Sequence, residues 1–317
     1  MLSICTKTQK LNTGALIPSV ALGCWQAPPK ETYDSVLAAI KAGYRHIDTA
    51  HVYGNEESVG KAIRECGLPR SELFVVTKLW NTNHRDPAGA LDASLKRMGL
   101  DYVDLYLMHW PVPLVKPGPD AESEFFPKDP NNPDLLLNDR DWDYIKTWEL
   151  MQKLPKEKTR AIGVSNMSKT NMIELLKAST TTVVPAANQV ELHPYYPRHE
   201  LVKYCQENGI VVEAYSPLGS SGSPLLADET VIACAKKLGV SPACLLISWA
   251  VQRDTVVLPK SVTPSRIEAN IKTVTLDEES FSALNNLYKT KGGRFLGRDW
   301  GIPVYNDPED LPKIIQA

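Results

Sequence analysis

No Cys-x-x-Cys pair and no histidine cluster at metal-ligand spacing occurs in these 317 residues. The six cysteines (Cys5, Cys24, Cys66, Cys205, Cys234 and Cys244) are scattered, which excludes a zinc module and reads as reduced thiols, with no metal expected. Neither sign of charge is in excess. Lysine and arginine number 35 against 37 aspartates and glutamates, for a net charge of −2, so there is no electrostatic footprint for nucleic acid or an anionic membrane. Long apolar runs are missing too. The most apolar stretch, 243–251, is short and interrupted by Ser248, which is too little to span a bilayer. The opening MLSICTKTQKLNTG shows no sustained apolar segment of the kind a secretory signal needs. A cytoplasmic protein without a nucleic-acid or membrane partner, and monomeric, is the expectation.

What is present is a core. The chain is 43% hydrophobic and 23% charged, enough to bury a large interior. A turn signal, Asn12-Thr13-Gly14, predicts a hairpin over 8–18. Beyond it, short apolar runs alternate with helical patterns. Strands are expected at 20–23, 45–48, 73–78, 103–108, 160–164, 187–190, 210–214 and 256–258. Helices are expected at 31–42, 55–66, 87–98, 168–177, 197–208, 228–238 and 241–252, and from Pro264. Eight strands alternating with helices argue for a parallel sheet closed into an α/β barrel. The competing arrangement, an open doubly wound sheet, calls for a GxGxxG turn after a strand, and the sequence has none. One (β/α)8 domain spanning residues 1–317 is expected, its N-terminal end plugged by the hairpin.

Three segments break this rhythm. Residues 110–142 hold seven prolines within the first 24 positions and show no helical period; 218–226 reads LGSSGSPLL; and 289–317 carries KGGR and several prolines. Each follows a strand's C-terminal end or closes the chain, so all three are expected as loops over the barrel rim where such folds carry their chemistry.

The residues at or just after each strand end form a chemically coherent set. They are Gly23-Cys24-Trp25; Asp48 with Tyr53; Lys78 and Trp80; His109 and Trp110; Ser165-Asn166; Gln189; Tyr215-Ser216; and Lys260-Ser261. Each alone has an ordinary packing explanation, but together they fit one reaction. A buried lysine needs a partner, and Asp48 on the adjacent strand supplies it for Lys78. An ammonium beside Tyr53 favours the phenolate, so the tyrosine pKa is expected to fall below its reference of about 10. Such a phenol can hand its proton to a carbonyl oxygen that His109 orients, and the hydride must come from a cofactor. The cofactor signal is the run from Leu258 to Arg266. Thr263 suits a helix N-cap and Pro264 the first helical position, while Lys260 and Arg266 add positive charge where a nucleotide phosphate would sit. Tyr215 offers a flat face for a nicotinamide ring, and Ser165, Asn166 and Gln189 can bond its carboxamide.

The motifs GYRHIDTAHVYGNEESVG, LFVVTKLWN, DYVDLYLMHWP, AIGVSN, NQVELHP, AYSPLG and LPKSVTPSRIEANI cover about residues 11–270. They resemble the aldo-keto reductase family, and DWDYIKTWELMQKLPK is similar to its fungal members that act on glycerol, aldehydes and keto esters. The resemblance implies a TIM barrel and a catalytic tetrad of Asp48, Tyr53, Lys78 and His109. It implies NADPH/NADP+ as cofactor, with nicotinamide contacts at Ser165, Asn166, Gln189 and Tyr215 and adenosine-phosphate contacts at Lys260, Ser261, Arg266 and Asn270. Gly23, Cys24, Trp25, Asp48, Ser216, Leu218, Val262 and Thr263 complete the expected cofactor contacts, and the loop 219–224 would fold over the pyrophosphate. Two positions depart from the pattern. Cys24 replaces a common threonine, and Ala269 replaces a glutamate that touches the adenine, which bears on how tightly cofactor is held. Trp25, Trp80, Trp110 and Trp300 would wall a pocket for a small carbonyl or polyol substrate. Tail arginines 294 and 298 read as solvated surface charges. The alternative reading is a cofactor-binding redox sensor with little turnover, against which the intact tetrad argues. The sequon Asn166-Met167-Ser168 falls at a position expected to face the nicotinamide, where a glycan would block the site.

Overall fold

Chain alternation and apolar content close the sheet on itself. The computed structural model describes residues 2–118, 124–220, 222, 224–310 and 314–315. Its eight parallel strands are β1 (Leu22–Gly23), β2 (His46–Asp48), β3 (Phe74–Leu79), β4 (Val103–Met108), β5 (Thr159–Ser165), β6 (Ala187–Glu191), β7 (Val211–Tyr215) and β8 (Val256–Val257). They neighbour one another in chain order. Parallel bridges Val20–Val257 and Gly23–Lys260 join the first strand to the last and close the ring. Closure leaves no exposed edge.

Helices α1 (Pro29–Ala42), α2 (Glu56–Glu65), α3 (Pro87–Met98), α4 (Tyr144–Met151), α5 (Lys169–Lys177), α6 (His199–Glu207), α7 (Glu229–Leu238), α8 (Pro242–Gln252) and α9 (Pro264–Asn270) surround the ring, with α10 (Glu278–Asn286) and the short α11 (Tyr288–Lys291) following. Their limits are set by local chemistry. The Asp86 carboxylate accepts from Gly89 N at 2.9 Å before Pro87, and Gly99 ends α3 in the left-handed conformation, a combination that starts and stops a helix. Asp228 caps α7 in the same way, and Ser241 with Pro242 opens α8.

The hairpin pairs Thr8 with Pro18 and Lys10 with Leu16. Its buried Leu11 and Ile17 join Ala21, Val76, Leu105 and Leu258 in an apolar plug that fills the N-terminal part of the barrel. A second, larger apolar layer lies between strands and helices. Burying each leucine or isoleucine there contributes about 1.5–3 kcal/mol.

Segment 110–142 is not wholly irregular. It carries a two-stranded ribbon, Lys128–Asp129 against Asn132–Leu136. That ribbon is exposed along most of its length, so no alternation of polar and apolar residues marks it. The tail expected from 289 as loop begins inside α11. Ser3–Ile4 pairs with Lys272–Thr273, and α4 and α10 are two further elements with no counterpart in the expected set. Among the described residues, no single helix is long and apolar enough to cross a membrane.

Candidate active site

Above the apolar plug, the inward-facing positions turn polar. Asp48, Lys78, Ser165, Gln189 and Glu213 form this layer, each almost wholly buried. The Lys78 ammonium donates to Asp48 Oδ1 at 2.7 Å, to the Thr49 carbonyl at 2.9 Å and to Tyr53 OH at 3.2 Å, which satisfies all three of its donors. Burial alone would push the lysine down, but Asp48 and Tyr53 hold it well above its ordinary range. It is a permanent cation at the barrel mouth.

Tyr53 sits on a single helical turn, His51–Tyr53, which Gly54 ends in the left-handed region. Asn55 ties this turn to the first strand's rim: its side chain donates to the Cys24 carbonyl at 2.8 Å and receives Thr49 Oγ1 at 2.7 Å. The tyrosine ring lies 4.8 Å from Trp25 and 5.7 Å from His109. The expected fall in its pKa is corrected by these neighbours. Burial raises the phenol to about 12, outweighing the pull of Lys78. The walls that desolvate it come from separate strands, so adjacency to lysine alone misjudged the balance. Tyr53 therefore stays loaded with its proton at neutral pH. Burial, with Lys78 beside it, holds His109 well below the ordinary imidazole range. The ring is neutral, and its Nδ1 has no partner among the described residues.

On the other side, Tyr215 OH donates to Asn166 Oδ1 at 2.7 Å, and Asn166 Nδ2 donates to the His109 carbonyl at 2.8 Å and to Ser165 Oγ at 3.1 Å. Ser165 Oγ donates to the Gln189 carbonyl at 2.7 Å. Asn166 and Ser216, each following a strand end, adopt left-handed backbone at φ 59° and 50°, a cost of order 1–3 kcal/mol that sites tend to carry. Gln189 Nε2 donates to Asp48 Oδ2 at 2.9 Å and to Glu213 Oε2 at 2.6 Å, while its Oε1 accepts from no group among the described residues. Burial raises the Cys24 thiol to about 12, so it is an inert neighbour. Gly23 is constrained by space, because a Cβ there would meet the Leu258 carbonyl at 3.1 Å.

At the entrance to α9, Thr263 occupies the N-cap position, but its side chain makes no capping bond; Ser261 Oγ accepts the Thr263 N–H instead, at 3.1 Å. The expected positions of Thr263 and Pro264 hold, without a side-chain cap from Thr263. Lys260 and Arg266 are exposed and form no ion pair among the described residues. Val262 is half-buried nearby and Leu218 packs against the core. Asn270, at the far end of α9, is buried. Within loop 219–224, residues 221 and 223 lie outside the described set.

The pocket wall differs in part from expectation. Trp80 lies 5.2 Å from His109, and its Nε1 donates to the Phe125 carbonyl at 2.7 Å. Trp110 packs on Trp300 at 4.7 Å, in the same apolar cluster as Trp80. Phe125, Phe126 and Tyr305 complete the aromatic mouth. The sequence reading missed them because they lie in segments without periodicity. The tail arginines are stacked, not simply solvated: Arg294 lies 4.1 Å from Tyr305 and Arg298 lies 4.1 Å from Phe126. No metal-ligating cluster is found among the described residues.

The aldo/keto reductase family model matches residues 19–289. The chain belongs to the aldo/keto reductase family. An aldehyde reductase from Saccharomyces cerevisiae is 52% identical over 301 residues, covering 94% of this chain and 96% of that one. An NADP(+) glycerol 2-dehydrogenase from the same yeast is 54% identical over 291 residues, covering 90% and 92%. Among solved structures, an aldose reductase from Schistosoma japonicum superimposes with a TM-score of 0.83 at 36% identity, covering 92% of this chain and 94% of that one. As an aldo/keto reductase the chain is an oxidoreductase of the aldehyde- and ketone-reducing class, which implies a nicotinamide cofactor.

Proposed function

We propose that this aldo/keto reductase reduces small aldehydes and ketones with NADPH, glyceraldehyde-like sugars and α-keto esters among them, and runs in reverse to oxidise polyols such as glycerol. Tyr53 is the proton donor. The observation that carries the reading is the chain Asp48–Lys78–Tyr53, at 2.7 and 3.2 Å, ending at an aromatic-walled mouth. Lys78 donates into the phenol oxygen, so the phenol's own proton is free to point at substrate. A carbonyl oxygen gaining negative charge takes that proton, and the phenolate left behind is stabilised by the ammonium. Neutral His109 can donate an N–H to the same oxygen and orient it.

When bound, the cofactor supplies the hydride. The residues present fit it. Among the described residues Gln189 Oε1 has no donor and Lys260 and Arg266 form no ion pair, and the Tyr215 ring is fixed through Asn166. These two cations support a preference for a dinucleotide bearing a 2′-phosphate, through charge-assisted bonds. The yeast relative named for NADP(+) is consistent with that choice. We read the protein as a cytoplasmic monomer, which gel filtration and cell fractionation test.

The experiment follows NADPH oxidation with glyceraldehyde in the wild type and in Tyr53→Phe, with NADH compared in parallel. Loss of the acid should lower kcat at least about 100-fold while NADPH binding stays within about twofold. Retention of more than about a tenth of the wild-type rate, with chemistry rate-limiting, removes Tyr53 from the donor role.

A further inference from the structure

Glu213 lies on β7 inside the barrel and is fully buried, yet no step assigned above uses it. Its register partner on β6 is Gln189. Its Oε2 receives Gln189 Nε2 at 2.6 Å, and its Oε1 has no partner among the described residues. The charged groups that act on it are Asp48, which opposes its ionisation, and Lys78, which favours it; burial is the largest influence and favours the neutral acid. A carboxyl held there at a desolvation cost, with one oxygen unsatisfied, contributes nothing as core packing, since an apolar side chain of that size would fill the space better.

We propose that Glu213 is a positioning residue for the cofactor site: it accepts one of the two Gln189 side-chain N–H bonds while Asp48 accepts the other, so the Gln189 amide oxygen is held toward the rim to receive the carboxamide N–H of a nicotinamide. The inference rests on the reading that Gln189 meets that carboxamide. The geometry makes the orientation unambiguous. An amide has two N–H donors, and both point at carboxyl oxygens at 2.9 and 2.6 Å. Turning the amide over would set its oxygen against the carboxylate of Asp48, an acceptor paired with Lys78. With Glu213 removed, one N–H loses its partner and the amide can rotate about its last bond. The same contact ties the site's nicotinamide side to the Asp48–Lys78 pair, since Gln189 touches both carboxyls.

The test compares dissociation constants, read from quenching of protein fluorescence, for NADPH and for reduced 3-acetylpyridine adenine dinucleotide phosphate. In the second compound a methyl ketone replaces the carboxamide, so it has no N–H to give. Glu213→Met, with Glu213→Leu as a second apolar variant should the first fold poorly, is expected to weaken NADPH about 3- to 10-fold, the scale of one hydrogen bond. The analogue should stay within about twofold in either variant. Glu213→Gln keeps an acceptor oxygen and should restore NADPH to near the wild-type value. Gln189→Ala checks the underlying reading, and it too must weaken NADPH more than the analogue. Equal losses for both compounds in Gln189→Ala overturn the carboxamide reading and the proposal with it. Selectivity in Gln189→Ala but equal losses, or none, in the Glu213 variants overturns the role of Glu213 alone.

Discussion

Two carboxyls share the polar layer of this barrel, and only Asp48 has a cation in contact. Glu213, left with an amide, has its pKa raised by burial to about 8. In the unfolded chain a glutamate titrates near about 4.3. Between those values the unfolded chain gives up this proton while the folded one keeps it, so stability falls as pH rises. The loss starts near the unfolded value and is complete once pH passes about 8. Glu213→Gln removes the linkage. Thermal unfolding of both proteins at several pH values should show the variant's advantage growing from mildly acidic pH to about pH 8 and levelling off above it; a gap that stays constant would place the titration elsewhere. Residue identity also limited what could be read beforehand. Asp48, Tyr53, Lys78 and His109 stand out in sequence because they follow apolar strands. Glu213, in the run VVEAY, reads as an ordinary polar alternate until the strand's inner face is known.

The contact between α2 and α3 depends on one missing methyl group. A Cβ at Gly60 would overlap the Met98 backbone, where Arg64 also bonds the carbonyl. Gly→Ala inside a helix normally gains about 1 kcal/mol. Here the sign should reverse: Gly60→Ala is expected to cost about 1–3 kcal/mol by overpacking, read as a lower urea midpoint with an unchanged slope. A variant as stable as wild type would show that the two helices part freely. Element limits were legible where chemistry punctuates them. Asp86-Pro87 and Gly99 bracket α3, and the Asn12-Thr13-Gly14 turn sets the hairpin's register. The ribbon in 110–142 was not legible because exposure on both faces erases alternation. Helix α4 hides behind the proline-rich segment, although Asp143 caps it and Trp148 and Met151 are buried on it. The i, i+3 spacing of Phe281, Leu284 and Leu287 is the signal for α10.

At the scale of the whole molecule, the C-terminal tail supplies acceptors to the starts of two helices, α5, which Ser168 also caps, and α6. Asp307 accepts the Lys169 and Thr170 N–H groups at the start of α5, the latter at 2.8 Å. Glu309 accepts the Glu200 and Leu201 N–H groups at the start of α6 at 3.0 and 2.9 Å, where Arg198 gives no side-chain cap. Farther up the tail, Glu191 takes the Phe295 and Leu296 N–H groups at 2.6 and 3.0 Å, and Asn138 holds the Trp300 carbonyl at 3.0 Å. A cap is worth about 0.5–2 kcal/mol, so Asp307→Ala with Glu309→Ala should loosen the tail by a few kcal/mol and let Trp300 leave the mouth. Steady-state kinetics with an apolar aldehyde should then show KM rising about tenfold or more, with kcat and NADPH affinity little changed. An unaltered KM would mean that Asn138 and Trp110 hold Trp300 without the tail's carboxylates.

The order of residues along a chain is also the order of synthesis. The four residues of the proposed tetrad have all been made once the ribosome has passed His109, and the ring can close after Lys260. The carboxylates that fasten the tail, Asp307 and Glu309, follow both in chain order. A chain not yet synthesised past these carboxylates, or clipped before them, would therefore hold the proposed chemistry behind an unfinished door.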